Sequence, residues 1–351
     1  MKKIIAVSLF FLAVIGCGEK SNDTVVKDQK DKYAADTSDI KTIPLNETDK
    51  FYNLNYSLEK NKTYNYRIST NSSEYQKISG LDTTVDGDIN QSTVYLAGLN
   101  LENVDKDSAL EINCEISSIK IILKHLPSQN SITYESGVTP DSIIKKGFPE
   151  YDALVNNEFS IRISKYGEIS GIFRVENILN KYLNIKEIAD SVSPTQKDQM
   201  RMSIIEGILK PLVMQIFRQL PKKSVAVDSS WSFTQPPIPL VVFRSHNTTT
   251  YKLTGLEKSG NDKLAVIQAS LITKISGDNT LTRNGIVYSF NKPVTSAGGK
   301  IYFNLSQGII QKSKTSTKIS LSFSMEIQTP NGMQKRNKEE VTTTTNTVEL
   351  L

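Results

Sequence analysis

The sequence predicts an α+β protein: a curved, mainly antiparallel β-sheet, in the limit a half-barrel, with two central helices packed on one face. Three observations predict it. Apolar and polar residues alternate through much of residues 51–351, the period of a half-buried strand. One alternation slips by a single residue, the mark of a bulge that bends a long strand. Between 172 and 221 the period lengthens from two to about four, which is helical. The chain has 351 residues, 38% hydrophobic and 23% charged, so it is neither disordered throughout, nor collagenous, nor a polytopic membrane protein. That length suits one large domain or two of about 120–160 residues. Its 42 basic and 37 acidic residues interleave along the sequence, which gives no reason to expect a nucleic-acid partner.

The first element is a leader. Lys2 and Lys3 form a basic start, and Ile4 to Ile15 is an apolar run broken only by Ser8. About a dozen apolar residues are too few to span a bilayer but have the length of a signal-peptide core. Val14-Ile15-Gly16-Cys17 then resembles the bacterial lipobox. The resemblance implies residues 1–16 as a lipoprotein signal peptide, diacylglycerol on the Cys17 thiol, cleavage before it, and acylation, with palmitate among the chains, of the new terminus. Each buried methylene contributes about 0.8 kcal/mol, so three chains anchor firmly. Partnership with a membrane through Cys17 places the protein in the bacterial cell envelope. Gly18, where an Asp would signal inner-membrane retention in enteric bacteria, points to the outer membrane, on its periplasmic or its surface side. With Cys17 acylated, Cys114 is the one remaining thiol, so no intramolecular disulfide is expected. Its alternating apolar surroundings read as a buried structural Cys.

Residues 17–48 are the lipidated Cys and a flexible tether, charged and poor in aromatics, with Lys27, Asp28, Lys30, Asp31 and Lys32 mixing in sign. Residues 49–351 are the β-rich globular region. Tyr64, Tyr66 and Ile68 alternate with polar residues, as do Leu110, Ile112, Cys114 and Ile116. The phase then slips to Ile119, Ile121 and Leu123, which places the bulge at Ser117-Ser118. Phe159, Ile161 and Ile163 mark another strand, and Ile301, Phe303 and Leu305 a later one. Leu321, Phe323, Met325 and Ile327 alternate with Ser320, Ser322, Ser324 and Glu326. A turn at Pro330-Asn331-Gly332 then leads to a closing Thr-rich strand, Val341 to Val348. The stretch from Ile161 through Gly167 to Ile169 looks like that from Phe303 through Gly308 to Ile310. Both read as strand, Gly turn, strand. Two related halves, about 49–171 and 225–351, would then flank the helical segment 172–221, as one sheet or as two domains.

In that segment Phe173, Glu176, Leu179, Tyr182 and Leu183 suit one helix. The second has Ser193 as cap, Pro194 at its first position and Gln196 completing a capping box. Met200, Ile204, Ile208, Leu212, Ile216 and Leu220 recur every four residues, and Ile205, Leu209, Val213 and Phe217 widen the stripe. Pro211 cannot donate to the carbonyl of Gly207 and should kink the helix. Such a helix either packs solidly on the sheet or lines an apolar cavity through Ile204, Ile208, Leu212 and Phe217.

Signs of chemistry are few. His125 and His246 stand apart, outside any His-Glu-x-x-His, and no Gly-x-Ser-x-Gly occurs. Asp82, Asp86, Asp88 and Asn90 form an oxygen-rich stretch, but the calcium-loop Gly is missing and its last position is Ala97. A polar loop, or a hairpin with an Asp-Gly turn, accounts for it better. No phosphate-binding Gly loop occurs. No metal and no cofactor are expected, and no enzyme.

Together, Tyr64-x-Tyr66, Thr133-Tyr134-Glu135-Ser136, the Phe159-x-Ile161-x-Ile163-Ser164 strand with Gly167, Leu220-Pro221 and Val227-Asp228-Ser229-Ser230-Trp231 resemble a known pattern. It is that of uncharacterised, Bacteroidota-type bacterial lipoproteins with a Tyr-Asp-Ser-like and a Leu-Pro…Gly-Asp-x-Trp-like segment. Here Glu135 stands where that pattern has Asp, and Asp228-Ser229 where it has Gly-Asp. The resemblance would cover about residues 50–350 and implies no activity and no catalytic residues. Three readings follow. The first is a non-enzymatic envelope lipoprotein binding an apolar or amphiphilic ligand between helices and sheet. The second is a structural or interaction lipoprotein binding another envelope protein or a glycan. The third is a hydrolase built on scattered carboxylates, for which the sequence selects no pair.

Overall fold

The computed structural model describes residues 31–47, 49–80, 83–126, 128, 130–329 and 332–351. The expected signal peptide, Cys17, the first part of the expected tether, Asp82, and Pro330-Asn331 of the expected last turn lie outside the described residues. The chain divides into Met1–Ala34 and Ala35–Leu351. Of the first unit, residues 31–34 form a turn closed by Ala34 N–H on the Asp31 carbonyl. The second holds the secondary structure.

Its elements begin with β1 (Ile43–Leu45), β2 (Thr63–Gly80), β3 (Thr83–Val104), β4 (Leu110–Leu126) and β5 (Asn130–Glu135). Helices α1 (Asp141–Gly147) and α2 (Pro149–Leu154) follow, then β6 (Glu158–Ile163) and β7 (Ile169–Phe173). Next come α3 (Glu176–Ile185), α4 (Pro194–Ile204), a π-turn (Ile205–Leu209) and α5 (Lys210–Ile216). The remainder is strand: β8 (Ser230–Thr234), β9 (Ile238–Leu240), β10 (Phe243–Ser259), β11 (Asp262–Ser276), β12 (Thr280–Arg283) and β13 (Ile286–Phe290). It closes with β14 (Val294–Asn304), β15 (Ile309–Thr329) and β16 (Gly332–Leu350). One open antiparallel sheet runs β1-β10-β11-β14-β15-β16-β2-β3-β4-β6-β7. The C-terminal strand β16 pairs with β2, so strands from both ends of the chain lie side by side at the centre. Outer strand β10 is lined by short β9, β8 and β1, which cover an edge otherwise open to pairing.

The alternating runs become these strands. The phase slip is a bulge: Leu96 faces Ser118 while Ala97 faces Ile116, so Ser117 has no partner across the ladder. Its hydroxyl donates instead to the Leu96 carbonyl at 3.2 Å. Ser136 completes the bend, exchanging two 3.0 Å bonds with Ile119. The two Gly hairpins form at β6–β7 and β14–β15, the first at the sheet's edge and the second inside it. Asp86-Gly87-Asp88 corrects the reading of a turn: it runs straight through β3, with Asp86 opposite Lys77 and Asp88 opposite Tyr75. Continuous pairing on both flanks overrides the local Asp-Gly preference.

The helical expectation needs a larger correction. The fold is not a sheet with two central helices packed on one face. Strand takes 57% of the chain and helix 15%, too little helix to lay two long cylinders across so large a sheet. The helical residues form short pieces that contact one another, α2 with α3 and α3 with α4. Phe173 belongs to β7, and the next residue, Arg174, takes a left-handed φ of 59° that turns the chain before α3 starts. Glu187, at φ 55°, turns it again just after α3. The capping box forms as expected, Ser193 N–H donating to Gln196 Oε1 at 2.9 Å and Gln196 N–H to Ser193 Oγ at 3.4 Å. Pro211 then leaves the Gly207 carbonyl without its usual donor. The ladder widens into the π-turn at Ile205–Leu209 just ahead of it. An apolar stripe shows that a helix buries one face; it does not show against what.

The core gathers around one buried side chain from outside any strand or helix. Tyr56 accepts a 2.7 Å bond from Arg218 N–H and donates at 3.0 Å to the Arg218 carbonyl. Its ring meets Phe217 and Phe303 edge-on, centroids 5.1 and 5.6 Å away. The segment carrying it passes between the two Gly hairpins: Tyr56 N–H donates to the Lys165 carbonyl and Ser57 N–H to that of Gly308. Both glycines are left-handed. A Cβ on Gly167 would lie 2.3 Å from the Arg218 carbonyl oxygen, and one on Gly308 2.7 Å from Ser57 N.

The tether is shorter than its composition suggests. Within residues 36–47, β1 pairs with β10, and three acids sit on lysines of three adjoining strands. Asp36 meets Lys312 at 3.0 Å, Asp39 meets Lys300 at 3.1 Å, and Glu47 meets Lys263 at 2.8 Å. The acids of this stretch are half of a complementary set. Hydrogen bonds from Ser38, then Lys312, hold the Asp36 carboxyl well below the usual carboxylate range. The Lys263 ammonium, with the Tyr52 hydroxyl, brings Glu47 from 4.5 down to about 2.

Two outcomes are expected. Tyr56→Phe leaves a buried N–H and carbonyl of Arg218 without their partner and should cost about 1–3 kcal/mol in urea unfolding. A depressed carboxyl pKa contributes attachment in full above its unfolded value and loses it as pH falls through its folded one. Residues 36–47 should therefore stay protected from hydrogen exchange above pH 4.5 and lose protection between 4.5 and about 2, after correction for intrinsic rates.

Candidate functional site

A cavity of about 310 Å³ lies where the end of α5 and the β6–β7 turn stand over strands β8, β10, β11 and β14–β16. Strand register explains the space. Trp231 faces Tyr251, Tyr251 faces Ala269, Ala269 faces Gly299, and Gly299 faces Thr315. Two large rings thus give way to small residues, and a hollow opens along Ala269, Ala297 and Gly298. Gly299 between them lets β15 come close, since a Cβ there would lie 2.5 Å from the Lys314 carbonyl oxygen.

The wall nearest α5 is built by Phe217, Arg218 and Gln219. Their backbone is held from three sides: by the Tyr56 hydroxyl, by Leu220 N–H on the Tyr166 carbonyl at 2.8 Å, and by Trp231 Nε1–H on the Gln219 carbonyl at 3.2 Å. Trp231 in turn stacks on Tyr251, centroids 5.7 Å apart. Rings of Phe217, Phe233 and Tyr251 supply apolar surface, while Gln235, Thr249, Thr315 and Asn346 supply hydrogen-bonding groups.

The charged residues lining the cavity are Lys210 and Arg218. Lys210 is paired with Glu206 at 2.7 Å. Among the described residues no carboxylate pairs with Arg218, and its Nε is buried without a hydrogen-bond partner. Burial pushes the Tyr251 hydroxyl pKa up, and the Arg218 charge acts against that rise. The site is thus a mixed apolar and polar hollow with one uncompensated positive charge at its wall.

Of the residues proposed from sequence to line a cavity, Phe217 does so. Ile204 and Leu212 are buried in the core, and Ile208 is half-buried against it; none of the three borders this cavity. Cys17 lies outside the described residues. Cys114 is free and fully buried opposite Phe159, and burial raises its thiol pKa far above the ordinary value. His125 shares a hydrogen bond with Ser128, and His246 with Ser276. Among the described residues no group of three or more His, Cys, Asp or Glu could hold a metal ion.

The segments that carried the sequence resemblance are structural. Tyr134 is buried, stacks on Phe148 and donates to Asp152 at 3.0 Å. Asp228 takes a left-handed φ of 69°, the backbone that explains a Gly at this place in the pattern. Leu220 and Trp231 brace the cavity wall. A model for a family of unknown function, DUF6263, matches residues 107–310, more than half of the chain. The chain belongs to DUF6263. That agrees with the resemblance to an uncharacterised family and brings no activity with it. The match takes in most of the cavity residues but not Thr315 or Asn346.

No curated protein matches this DUF6263 chain. Among solved structures, the crystal structure of Pseudomonas aeruginosa OccK2 (OpdF) is 6% identical over 83% of this chain and 99% of that one, with a TM-score of 0.19. The Pseudomonas aeruginosa outer membrane protein opdK is 6% identical over 82% of this chain and 99% of its own, at 0.11. The Pseudomonas aeruginosa MucA/MucB complex is 6% identical over 77% and 88%, at 0.10. Scores this low assign neither a fold nor a function.

Proposed function

We propose that this protein is a non-enzymatic, lipid-anchored lipoprotein of the bacterial cell envelope that holds a small anionic amphiphile in the cavity beside α5. The observation that carries the ligand is Arg218: a guanidinium at the wall of an aromatic hollow, with no carboxylate to neutralise it. Arg218 is half-buried with its Nε unbonded, and an anionic group entering beside it gains a charge-assisted hydrogen bond while its apolar part covers Phe217, Phe233 and Tyr251. The volume is near the lower end of the roughly 300–1,000 Å³ usual for small-molecule sites, so the ligand is small. A ring or short chain with one acidic group suits it; a whole diacyl lipid does not.

The envelope location rests on the leader and lipobox at residues 1–17. The outer membrane is the site that Gly18 favours, in the manner of the Bacteroidota-type lipoproteins that the sequence resembles.

Two measurements test this reading. An alkynyl palmitate fed to cells should label the parent chain and not Cys17→Ser; equal labelling would remove the anchor. For the ligand, the chain from residue 17 carrying Cys17→Ser is purified without detergent. Native mass spectrometry is run on it alone and with medium-chain fatty acids and aromatic carboxylates. One-to-one adducts are expected, weakened about tenfold or more by Arg218→Gln and blocked by Ala297→Trp. Uptake indifferent to both substitutions would rule out this cavity as the site.

A further inference from the structure

The cavity has two chemically different ends. Trp231, Tyr251, Ala269, Gly299, Thr315 and Asn346 follow one another across adjacent strands, from β8 through β10, β11, β14 and β15 to β16. The row is aromatic where it starts, small in the middle and polar where it finishes. Three strand spacings, about 14 Å, separate Tyr251 from Thr315. Arg218 stands at the aromatic end. Its neighbour Gln219 takes the Trp231 indole N–H at 3.2 Å, and its own charge reaches the Tyr251 phenol.

The polar end is left unpaired by its register. Elsewhere on this sheet hydroxyls bond across strands: Ser232 with Thr250 at 3.0 Å, Thr234 with Thr248 at 3.1 Å, and Thr345 with Ser316 at 3.5 Å. Each of these lies an odd number of residues from a member of the row, so all point away from the cavity. On the cavity face Thr315 lies between Gly299, which has no side chain, and Asn346, whose Oδ1 accepts from Thr70 at 2.8 Å. Thr317 lies between Ala297 and Thr344, and Thr344 shares its hydrogen bond with Ser72 at 3.3 Å. Among the described residues the Thr315 and Thr317 hydroxyls therefore have no cross-strand partner. Both residues border the cavity and are half-buried. Water serves such groups in an open cavity. A wholly apolar occupant would displace it and leave both hydroxyls unpaired, which is costly.

We propose that the ligand is a hydroxy acid whose carboxylate and hydroxyl sit at opposite ends of an apolar stem. The carboxylate pairs with Arg218, the stem covers Tyr251, Phe233 and the hollow at Ala269 and Ala297, and the hydroxyl meets Thr315 and Thr317, each able to give and to accept. The inference rests on the cavity reading above and deepens it. That reading asks for one acidic group on an apolar body; the two threonines add a second polar group and its distance from the first. A hydroxyl next to the carboxylate would stay at the Arg218 end and leave the threonines unmet.

The test uses the chain from residue 17 with Cys17→Ser and three matched acids: decanoate, ω-hydroxydecanoate and α-hydroxydecanoate. They are offered in equimolar pairs and the adducts read by native mass spectrometry. The ω-hydroxy acid is expected to bind about tenfold tighter than decanoate, and the α-hydroxy acid like decanoate. This comparison needs no further substitution in the protein. Thr315→Val with Thr317→Val nearly keeps the shape of both side chains, so it should erase the preference while decanoate binds as before. Arg218→Gln should weaken all three acids alike. Decanoate bound in an Arg218-dependent way, with no preference for its ω-hydroxy form, would overturn this inference and leave the anionic-amphiphile reading standing. So would a preference that survives both threonine substitutions, or an equal gain from the α-hydroxyl. No Arg218-dependent binding of any of the three would remove the cavity reading and this inference with it.

Discussion

The structure depends on one hydroxyl. Tyr56 both accepts from and donates to the backbone of Arg218, and so satisfies two peptide groups that burial would otherwise leave unpaired. Its ring fills the space between Phe217 and Phe303, and its backbone is tied to the β6–β7 hairpin. Four distant parts of the chain therefore meet at one residue: the segment before β2, the first Gly hairpin, the end of α5, and the strand leading into the second hairpin. Burial keeps the phenol neutral and pushes its pKa well up. The two glycines follow from this crossing, because there is no room beside it for a Cβ at 167 or 308.

The cavity inherits its rigidity from the same junction. Arg218 is held at its backbone by Tyr56, and its neighbour Gln219 by Trp231, so the charged side chain projects from a braced wall. The opposite side is a sheet surface where Ala269, Ala297 and Gly298 leave room. A site placed on strands and a braced turn keeps its shape without a ligand, which lowers the cost of binding.

Local chemistry was readable where it acts through neighbours in sequence. The bulge at Ser117, the Ser193–Gln196 capping box and the Gly167 and Gly308 turns all arise from side chains a few residues apart. Elsewhere a partner from far along the chain decided the outcome. Asp86-Gly87 did not turn because Lys77 and Gln76 pair with it across β2. Residues 36–47 did not remain a linker because Lys263, Lys300 and Lys312 stand on three strands in positions to meet their acids. The apolar stripe after Ser193 became α4, a π-turn and α5. Its Ile204 and Leu212 went into the core, while Phe217, at its end, reached the cavity.

By itself the sequence determined the β-rich character, the position of the bend and the Gly167 and Gly308 turns, because periodicity and turn chemistry are properties of short stretches. It also showed, in the Leu220-Pro221 and Trp231 segments, residues that prove to brace the cavity wall, though not what they brace. Only the tertiary structure decided that β16 joins β2, that both hairpins close on Tyr56, and that Ala269 and Ala297 come together to leave a hollow beside Arg218. These are pairings between residues tens to hundreds of positions apart. Hydrogen-bond register sets them, and no local pattern encodes register.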